Sequence, residues 1–490
     1  MASALLLSLA TLVLPTAANI CSTLADKGIP IEVQSSPQYS KSLKYWSLAC
    51  QELKPACIAA PENAEQVASI IESLQQVNDS FAIKSGGHSP VLGFSSIQDG
   101  LLISMEMFKD VTYHDDDQTA VIGAGLSWQD AHLHLNQPSQ MIVGGRVGGV
   151  GVSGLILGGG LSFLSPQYGW AANSVVNYEI VLADGTIVNA NATSYEDLYF
   201  SLKGAGNNYG IVTAFTVQTY PAKDGEVWGG GIFIKPNQTR QILEAVRSFV
   251  EYYPDNRASI LPTFTNNEWL LLVFYDGSTP PDNIFQNFTS IPTANASTTQ
   301  TWDSYYDLIH SNDQYNIMGA SRYASGAEVL PLPNQTIGGQ VLEEILDFWN
   351  QTTEKARGSC PGTHGSIALH PIPRTMTQAA RDKGGDLINF PTDHDYLIVG
   401  VLLSYVDASC TEIMDRAIED TYKGINDIII GYIKQGKLPD VPRPLYLNDI
   451  NSRQDYWGRV DTKPKAIEAK EKYDPYGFFT SRTSGGFGLV

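Results

Sequence analysis

The sequence has little positive charge. Lysine and arginine together number 31, against 51 aspartates and glutamates, and the formal net charge at pH 7 is −20. No segment concentrates lysine and arginine. A chain of this kind repels polyanions such as nucleic acid, and it also repels anionic membrane surfaces. We therefore expect neither as a partner.

Cysteine is also scarce, with five residues in the chain. No Cys-x-x-Cys pair and no Cys/His spacing suits zinc, so we expect no metal site. In an oxidising compartment an odd count leaves at least one thiol unpaired or buried. Our preferred bridge joins Cys21 to Cys57 and ties the N-terminal segment to the first folded segment. Pairing with Cys50 is the alternative, and Cys360 and Cys410 complete the set.

Long apolar runs are missing too. The run at residues 5–14 is too short to span a bilayer. With Pro15 and the small residues 16–18 it resembles a secretory signal peptide and its cleavage site. A membrane anchor or disordered tail is the alternative, because no lysine or arginine precedes the run. Seven Asn-x-Ser/Thr sequons independently favour secretion and a glycosylated surface: Asn78, Asn191, Asn237, Asn287, Asn295, Asn334 and Asn350.

The chain is globular and too long for one core. It has 490 residues, of which 43% are hydrophobic and 17% charged, and we expect two packed domains. The first part predicts helices at 61–77, 128–135 and 194–203 and strands at 56–60, 80–84, 101–104, 119–122, 140–143, 175–182, 186–189 and 211–219. After residue 222 we predict strands at 226–234, 259–265, 269–275 and 396–405 and helices at 240–252 and 339–353. This order of strands and helices is typical of an antiparallel sheet with helices on one side, which is an α+β domain. A C-terminal return from 446 to 479 contains a helix that ends near Lys472.

Glycine is concentrated in three segments. Nine of the seventeen residues from 144 to 160 are glycine, and smaller clusters lie at 86–87 and 204–210. Residues 149–154 match the dinucleotide fingerprint formally, but residues 158–160 would interrupt the helix that a Rossmann site requires. Tight turns between packed strands are the architectural alternative. We favour several converging loops whose N–H groups bind a pyrophosphate.

Five motifs together carry a family resemblance. They are residues 85–89 (Ser-Gly-Gly-His-Ser), Val150-Gly151-Val152 leading to 158–160, Tyr168-Gly169, Asp184-Gly185, and Asp197-Leu198 through 210–213. The chain resembles the vanillyl-alcohol-oxidase-like flavoproteins with a p-cresol-methylhydroxylase-type FAD-binding domain, and among them the fungal berberine-bridge-enzyme-like oxidases. The resemblance implies a signal peptide at 1–18, an FAD-binding domain at 19–221, an α+β substrate domain at 222–443, and a return to the first domain at 444–490.

The resemblance also implies how the cofactor is held. His88 occupies the position that is bonded to the 8α-methyl of FAD in such proteins. Many relatives add a cysteine link where this chain has Val147, so we expect a single link. Val150 matches the position that governs access of dioxygen, and valine there resembles the oxidase pattern. A histidine found in relatives is Leu155 here. The expected cofactor-binding residues are Lys84, Ser85, Gly86, Gly87, His88, Ser89, Val147, Gly148, Gly151, Gly154, Gly158, Gly159, Gly206, Asn207, Gly210, Ile211, Tyr446 and Asn448.

The sequence does not identify a single catalytic base. Its candidates are Tyr446, Asn448, Asp449 and the strip 383–389, because the glutamate of plant relatives has no obvious counterpart. Asp386 lies in that strip, with a solvated strand-end aspartate as the alternative. Tyr446 is either a phenolate base or a hydrogen-bond partner of the flavin.

The leading hypothesis is a monomeric, secreted oxidase that takes hydride from an alcohol, a sugar or a secondary metabolite and gives electrons to O2. A flavin dehydrogenase, a ring-closing enzyme and a catalytically silent glycoprotein are the alternatives.

Overall fold

The structure is a computed structural model that describes residues 17–137, 139–222, 225–265, 268–315 and 318–489. The predicted signal peptide lies outside these residues except for its last two, so it stays a prediction. The described chain is α+β, as expected, and its strands form three sheets. None of the described helices combines the length and the apolar character that a membrane crossing requires.

A small sheet begins the chain. Its strand order is β1-β2-β4-β3, with β2 and β3 parallel to β4 and β1 antiparallel to β2. Every residue of β4 is buried, as is typical of a strand covered on both faces. Helix α4 packs through Val67, Ile70, Ile71 and Leu74, the predicted apolar face. The elements are α1 (Ala17–Asp26), β1 (Ile31–Glu32), α2 (Pro37–Ser42), α3 (Leu48–Gln51), β2 (Cys57–Ala59), α4 (Ala64–Gln75), β3 (Phe81–Lys84) and β4 (Leu101–Ser104).

A second, antiparallel sheet follows, with strand order β5-β6-β10-β8-β9 and with β7 paired to β10. The predicted turn at Asp184-Gly185 joins β8 to β9. The elements are β5 (Val111–His114), β6 (Thr119–Gly123), α5 (Trp128–Leu135), β7 (Gln140–Ile142), α6 (Val152–Leu157), α7 (Ser165–Tyr168), β8 (Val175–Leu182), β9 (Ile187–Asn191), α8 (Glu196–Ser201) and β10 (Gly210–Pro221).

Helix α8 is shorter than predicted at its start. We expected Ser194 to cap a helix over 194–203, but the amide of Asn191 donates to the Ser194 carbonyl at 2.8 Å. Tyr195 then takes a left-handed conformation with φ 54°. A helix cannot continue through that conformation, so α8 begins at Glu196.

The third sheet is antiparallel, with strand order β14-β11-β13-β12-β16-β17-β15. Alternate residues of β17 face two cores: Leu397 and Val399 pack with α9, α12 and α14, and Tyr396 and Ile398 face the first two sheets. The elements are β11 (Val227–Ile234), α9 (Thr239–Tyr252), β12 (Ala258–Thr265), β13 (Trp269–Tyr275), α10 (Gln286–Thr289), β14 (Gln300–Trp302), α11 (Tyr305–Ser311), β15 (Arg322–Pro331), α12 (Gly338–Ser359), β16 (His364–Ile372), α13 (Arg374–Asp382), β17 (Tyr396–Tyr405) and α14 (Thr411–Lys434).

The C-terminal segment packs against the first part of the chain. Its helices are α15 (Lys463–Tyr473) and α16 (Phe478–Arg482). The hydroxyl of Tyr456 donates to the Gly204 carbonyl at 2.6 Å, and the buried ammonium of Lys470 donates to the Asn208 carbonyl at 2.8 Å. The return therefore packs on the third glycine segment.

Two disulfides cross-link the described chain. Cys21 pairs with Cys57, which confirms the preferred bridge, and Cys360 pairs with Cys410. Cys50 is a buried free thiol, so the alternative pairing is wrong.

Candidate functional site

The first two glycine segments touch each other. A Cβ built on Gly86 would lie 2.5 Å from the Cα of Gly151, so the two backbones are in direct contact. The hydroxyls of Ser85 and Ser153 both donate to the carbonyl of Ala124, each at 2.6 Å. One carbonyl thus holds together the loop after β3 and the start of α6.

The third glycine segment, residues 204–210, contacts the second one at the end of α6. The amide of Gly206 donates to the Leu157 carbonyl at the end of α6, at 2.9 Å. Gly206 is buried with φ +68°, yet a Cβ there would meet only Leu447 Cδ1, at 3.8 Å. A glycine where a Cβ would meet a single neighbour at ordinary contact distance is a place where backbone can approach a ligand closely.

The other predicted cofactor residues lie either at this junction or in the segments that pack around it. Gly158 and Gly159 lie against Asn448 and Ile388, where a Cβ would clash at 2.0 and 2.5 Å. Gly148 follows Val147 on a loop held by α11, whose Ile309 carbonyl accepts the Gly148 amide at 3.2 Å.

Four of the supporting residues are held by their own local contacts. Lys84 is buried beside the Tyr45 ring, and burial lowers its pKa. Ser89 accepts a hydrogen bond from the Val91 amide. Gly210 and Ile211 are paired into β10 against β8.

Three further residues of the predicted set are placed individually. Gly154 is exposed on α6, Asn207 lies beside Gly486, and Val150 is partly buried with its carbonyl bonded to the Trp128 amide at 3.0 Å.

His88 is half-buried and belongs to a column of three rings. Its imidazole stacks on Trp46 with ring centroids 4.4 Å apart and 8° between the planes. Trp46 in turn stacks on Tyr323 of β15, at 3.7 Å and 11°. The Trp46 amide also donates to the Gly87 carbonyl at 3.0 Å. Trp46 fixes the plane of the His88 ring, although no motif of the sequence marks this tryptophan.

Tyr446 and Asn448 lie together at the glycine run. The Tyr446 hydroxyl accepts from the Leu161 amide at 2.9 Å and from Asn448 Nδ2 at 3.1 Å. Asn448 Nδ2 also donates to the Leu155 carbonyl at 2.9 Å. Burial raises the pKa of Tyr446 well above its ordinary value, which favours a neutral, hydrogen-bonding phenol over a phenolate.

Asp386 is buried instead of solvated. One carboxylate oxygen accepts from Asn173 Nδ2 at 3.2 Å, and the other accepts from the Asn389 amide at 2.9 Å. Burial raises its pKa. With one hydrogen bond on each oxygen, the buried side chain links the strip 383–389 to Asn173, in the turn that follows α7.

A third polar cluster joins three distant parts of the chain. Arg146 Nη2 lies 2.9 Å from His370 Nδ1, and His370 Nε2 lies 3.3 Å from Asp449 Oδ2. Burial, opposed by Arg146, raises the pKa of Asp449 to about 6. Burial, reinforced by Arg146, lowers the pKa of His370 well below its ordinary value.

Of the three, only Asp449 was a candidate from the sequence. His370 lies on β16, which was not predicted, and its signal was the apolar pair Ile367 and Leu369, two residues apart and just before it. Nowhere in the described ranges do three or more His, Cys, Asp or Glu side chains cluster as metal ligands would.

Residues 55–191 match the family model of an FAD binding domain. An uncharacterised FAD-linked oxidoreductase from Arthroderma benhamiae is 44% identical over 478 residues, covering 96% of this chain and 95% of the relative. A bifunctional solanapyrone synthase from Alternaria solani is 33% identical over 464 residues, covering 92% and 85%.

Solved structures share the fold at lower identity. Berberine bridge enzyme from Eschscholzia californica superposes with a TM-score of 0.76 at 17% identity, covering 96% of this chain and 98% of that one. Xylooligosaccharide oxidase from Myceliophthora thermophila superposes with a TM-score of 0.77 at 19% identity, covering 96% and 99%. Both similarities extend over all three sheets.

Proposed function

Because this chain belongs to the FAD-linked oxidoreductases and has the berberine-bridge-enzyme fold, we propose that it is a secreted oxidase with a covalently held flavin. The enzyme takes hydride from a C–H bond of an alcohol, a sugar or a secondary metabolite and passes the electrons to O2, giving H2O2. Residues 19–221 and 444–490 hold the cofactor, and residues 222–443 form the substrate side.

The observation that carries the proposal is the placement of His88 beside the glycine junction. Its ring is half-buried on the loop of Gly86, which touches Gly151, and the buried Gly206, where a Cβ would meet one neighbour at 3.8 Å, belongs to the same junction. A ring nitrogen for attachment, glycine backbone for close approach and a neutral phenol at Tyr446 form a donor set that fits FAD. When bound, FAD supplies a two-electron oxidant that accepts a hydride.

The protein residues then have separate tasks. His88 attaches the cofactor, with its ring plane set by Trp46. Val147 has no sulfur with which to form a second link. Tyr446 and Asn448 lie in the C-terminal return, beside the glycine run, and present polar groups to the cofactor. Val150, partly buried beside Gly151, leaves room for dioxygen, and this supports an oxidase over a dehydrogenase.

Secretion is supported by the surface and the cross-links. Two disulfides are typical of an oxidising compartment. Six of the seven sequon asparagines are exposed, and Asn191 is half-buried. We propose that glycans cover parts of this surface.

Denaturing the purified enzyme in acid tests the covalent link. We expect flavin absorbance to stay with the precipitated protein, and we expect His88→Ala to release it into the supernatant. The matched control is His134→Ala, because His134 is an exposed histidine on α5 and should leave flavin retention unchanged. Release of all flavin from the wild-type protein would contradict covalent attachment.

The electron acceptor is tested separately. Reduced enzyme mixed with air-saturated buffer should reoxidise rapidly and produce one H2O2 per flavin. Slow reoxidation without peroxide would instead support a dehydrogenase or a ring-closing enzyme. Flavin that no sugar, alcohol or alkaloid bleaches under nitrogen would support a catalytically silent protein.

A further inference from the structure

The cluster of Arg146, His370 and Asp449 lies between the glycine run and the third sheet. Arg146 belongs to the glycine run, and its carbonyl accepts from Asn312 Nδ2 at 2.9 Å. His370 comes from β16, and Asp449 lies three residues beyond Tyr446. The ionisable groups that face the cluster are the phenols of Tyr446 and Tyr305. The cluster therefore adjoins the proposed cofactor residues, on the side of the substrate domain.

The contacts assign the protons. A guanidinium group has no acceptor, so His370 Nδ1 must accept from Arg146. The His370 proton is then on Nε2, which faces Asp449 Oδ2 at 3.3 Å. Burial and the neighbouring Arg146 both keep the imidazole neutral. His370 thus presents an N–H to Asp449 and has no lone pair left for a substrate proton.

The two oxygens of Asp449 differ in their surroundings. Oδ2 is buried and faces His370, although the contact lacks hydrogen-bond geometry in the free protein. Such contacts are often long before a substrate binds. Oδ1 accepts no hydrogen bond from the residues that the structure describes, and the side chain is 28% exposed. Asp386 is 4% exposed and each of its oxygens already accepts a hydrogen bond, so Asp449 is the more accessible carboxylate.

Gly400 on β17 keeps the space between the two side chains clear. A Cβ at this position would lie 3.2 Å from His370 Nε2 and 3.6 Å from Asp449 Oδ2. A Cβ would therefore press on the His370 ring, and glycine leaves that space free.

We propose, on the basis of the flavin oxidase proposed above, that Asp449 accepts the proton of the substrate hydroxyl and that His370 and Arg146 are its positioning residues. The substrate O–H bond breaks and its proton bonds to an Asp449 oxygen. The O–H electron pair becomes the second bond of the product carbonyl, and the hydride leaves the same carbon with the C–H electron pair, for the oxidant. Asp449 then returns its proton to solvent through its exposed edge.

The first experiment reads the protein groups without a substrate. In holoenzyme labelled with 15N-histidine, we expect His370 to be the neutral Nε2–H tautomer at pH 7.5, assigned by its loss in His370→Gln. Its Nε2 resonance should shift with a midpoint near pH 6 as Asp449 is protonated, and Asp449→Asn should abolish that step. An imidazolium at pH 7.5, the other tautomer, or a step that persists in Asp449→Asn would overturn the proposal.

The second experiment measures anaerobic bleaching of the flavin by benzyl alcohol, cellobiose and xylobiose. We expect Asp449→Asn to slow bleaching at pH 7.5 by about 100-fold or more, as removal of a general base does. It should also abolish the rise in rate between pH 5 and 7, while the flavin stays attached. His370→Leu should retain activity but move the midpoint of that rise to higher pH, because the carboxylate loses the N–H donor that faces it.

The matched control is Asp393→Asn. Asp393 forms an exposed pair with His394, at 2.8 Å, and its loss should change neither the bleaching rate nor the pH profile. Wild-type bleaching that Asp449→Asn leaves unchanged would overturn the assignment of Asp449 and leave the oxidase intact. If none of the three probes bleaches the wild-type flavin, the failure is that of the oxidase proposal for these substrates, and the histidine spectrum decides the state of Asp449.

Discussion

Gly86 packs directly against Gly151, so that neither position has room for a Cβ. A Cβ on Gly86 would lie 2.5 Å from the Gly151 Cα, and a Cβ on Gly151 would lie 2.7 Å from the Gly86 Cα, closer than real Cβ contacts. We expect Gly151→Ala to separate the His88 loop from the start of α6, because both contacting atoms are backbone and cannot rotate away. The measurement is the flavin that stays with acid-precipitated protein, which should fall severalfold.

Gly431→Ala is the control for this substitution. Gly431 lies inside α14, and a Cβ placed on it would meet no neighbour within 4 Å among the described residues. Alanine there should keep the full flavin content and raise the free energy of unfolding by about 0.5–1 kcal/mol. Equal flavin content in both variants would show that the contact between the two loops is not needed for cofactor attachment.

Trp46→Leu tests the ring column. The stack on His88 should be worth about 0.5–1.5 kcal/mol, and without it the imidazole can leave the plane in which it now lies. We expect a lower fraction of covalent flavin, measured by acid precipitation, and partial recovery in Trp46→Phe. Full attachment in Trp46→Leu would show that the loop alone orients His88.

The sequence was sufficient to predict those features that residues close together in the chain determine. The apolar face of α4, the turn at Asp184-Gly185 and the three glycine segments were recognisable from spacing and composition. Strand β16 was missed, although an apolar pair, two residues apart, comes just before His370. The contact of Arg146 with His370 spans 224 positions and depends on how the third sheet lies over the glycine run. No local pattern specifies that placement, so the cluster around Asp449 became visible only in the fold.

Thiol counting tests the cysteine arrangement. Burial raises the pKa of the Cys50 thiol, so we expect no reaction with a thiol reagent in the native protein. In guanidinium chloride without reductant, one thiol per chain should react. Two or more reactive thiols would contradict the two disulfides.

The Cys21–Cys57 bridge closes a loop with a sequence separation of 36. By loop-closure entropy, the paired substitution of both cysteines by alanine should lower the free energy of unfolding by about 3–4 kcal/mol. Chemical denaturation measures the change. Cys50→Ala, which removes a buried thiol without opening a cross-link, is the comparison and should cost clearly less.

Asp449 should make the stability of the protein depend on pH. Its pKa rises from 3.8, the value expected for the unfolded chain, to about 6 in the folded protein, mainly because burial disfavours the carboxylate. Between these values the folded state binds more protons, so the contribution of Asp449 to the free energy of unfolding falls as pH rises from about 4 to 6. By linkage this loss is about 2–3 kcal/mol at neutral pH.

Asp449→Asn removes the titration of this carboxyl. The free energy of unfolding of the variant relative to wild type should therefore rise by that amount between pH 4 and pH 7, measured by denaturant unfolding. Asp393→Asn is the control: His394 lowers the pKa of Asp393, so the contribution of Asp393 changes mainly below pH 4 and the stability difference of this variant should stay nearly constant between pH 4 and pH 7. A stability difference for Asp449→Asn that does not vary with pH would mean that the Asp449 carboxylate is not destabilised by its surroundings.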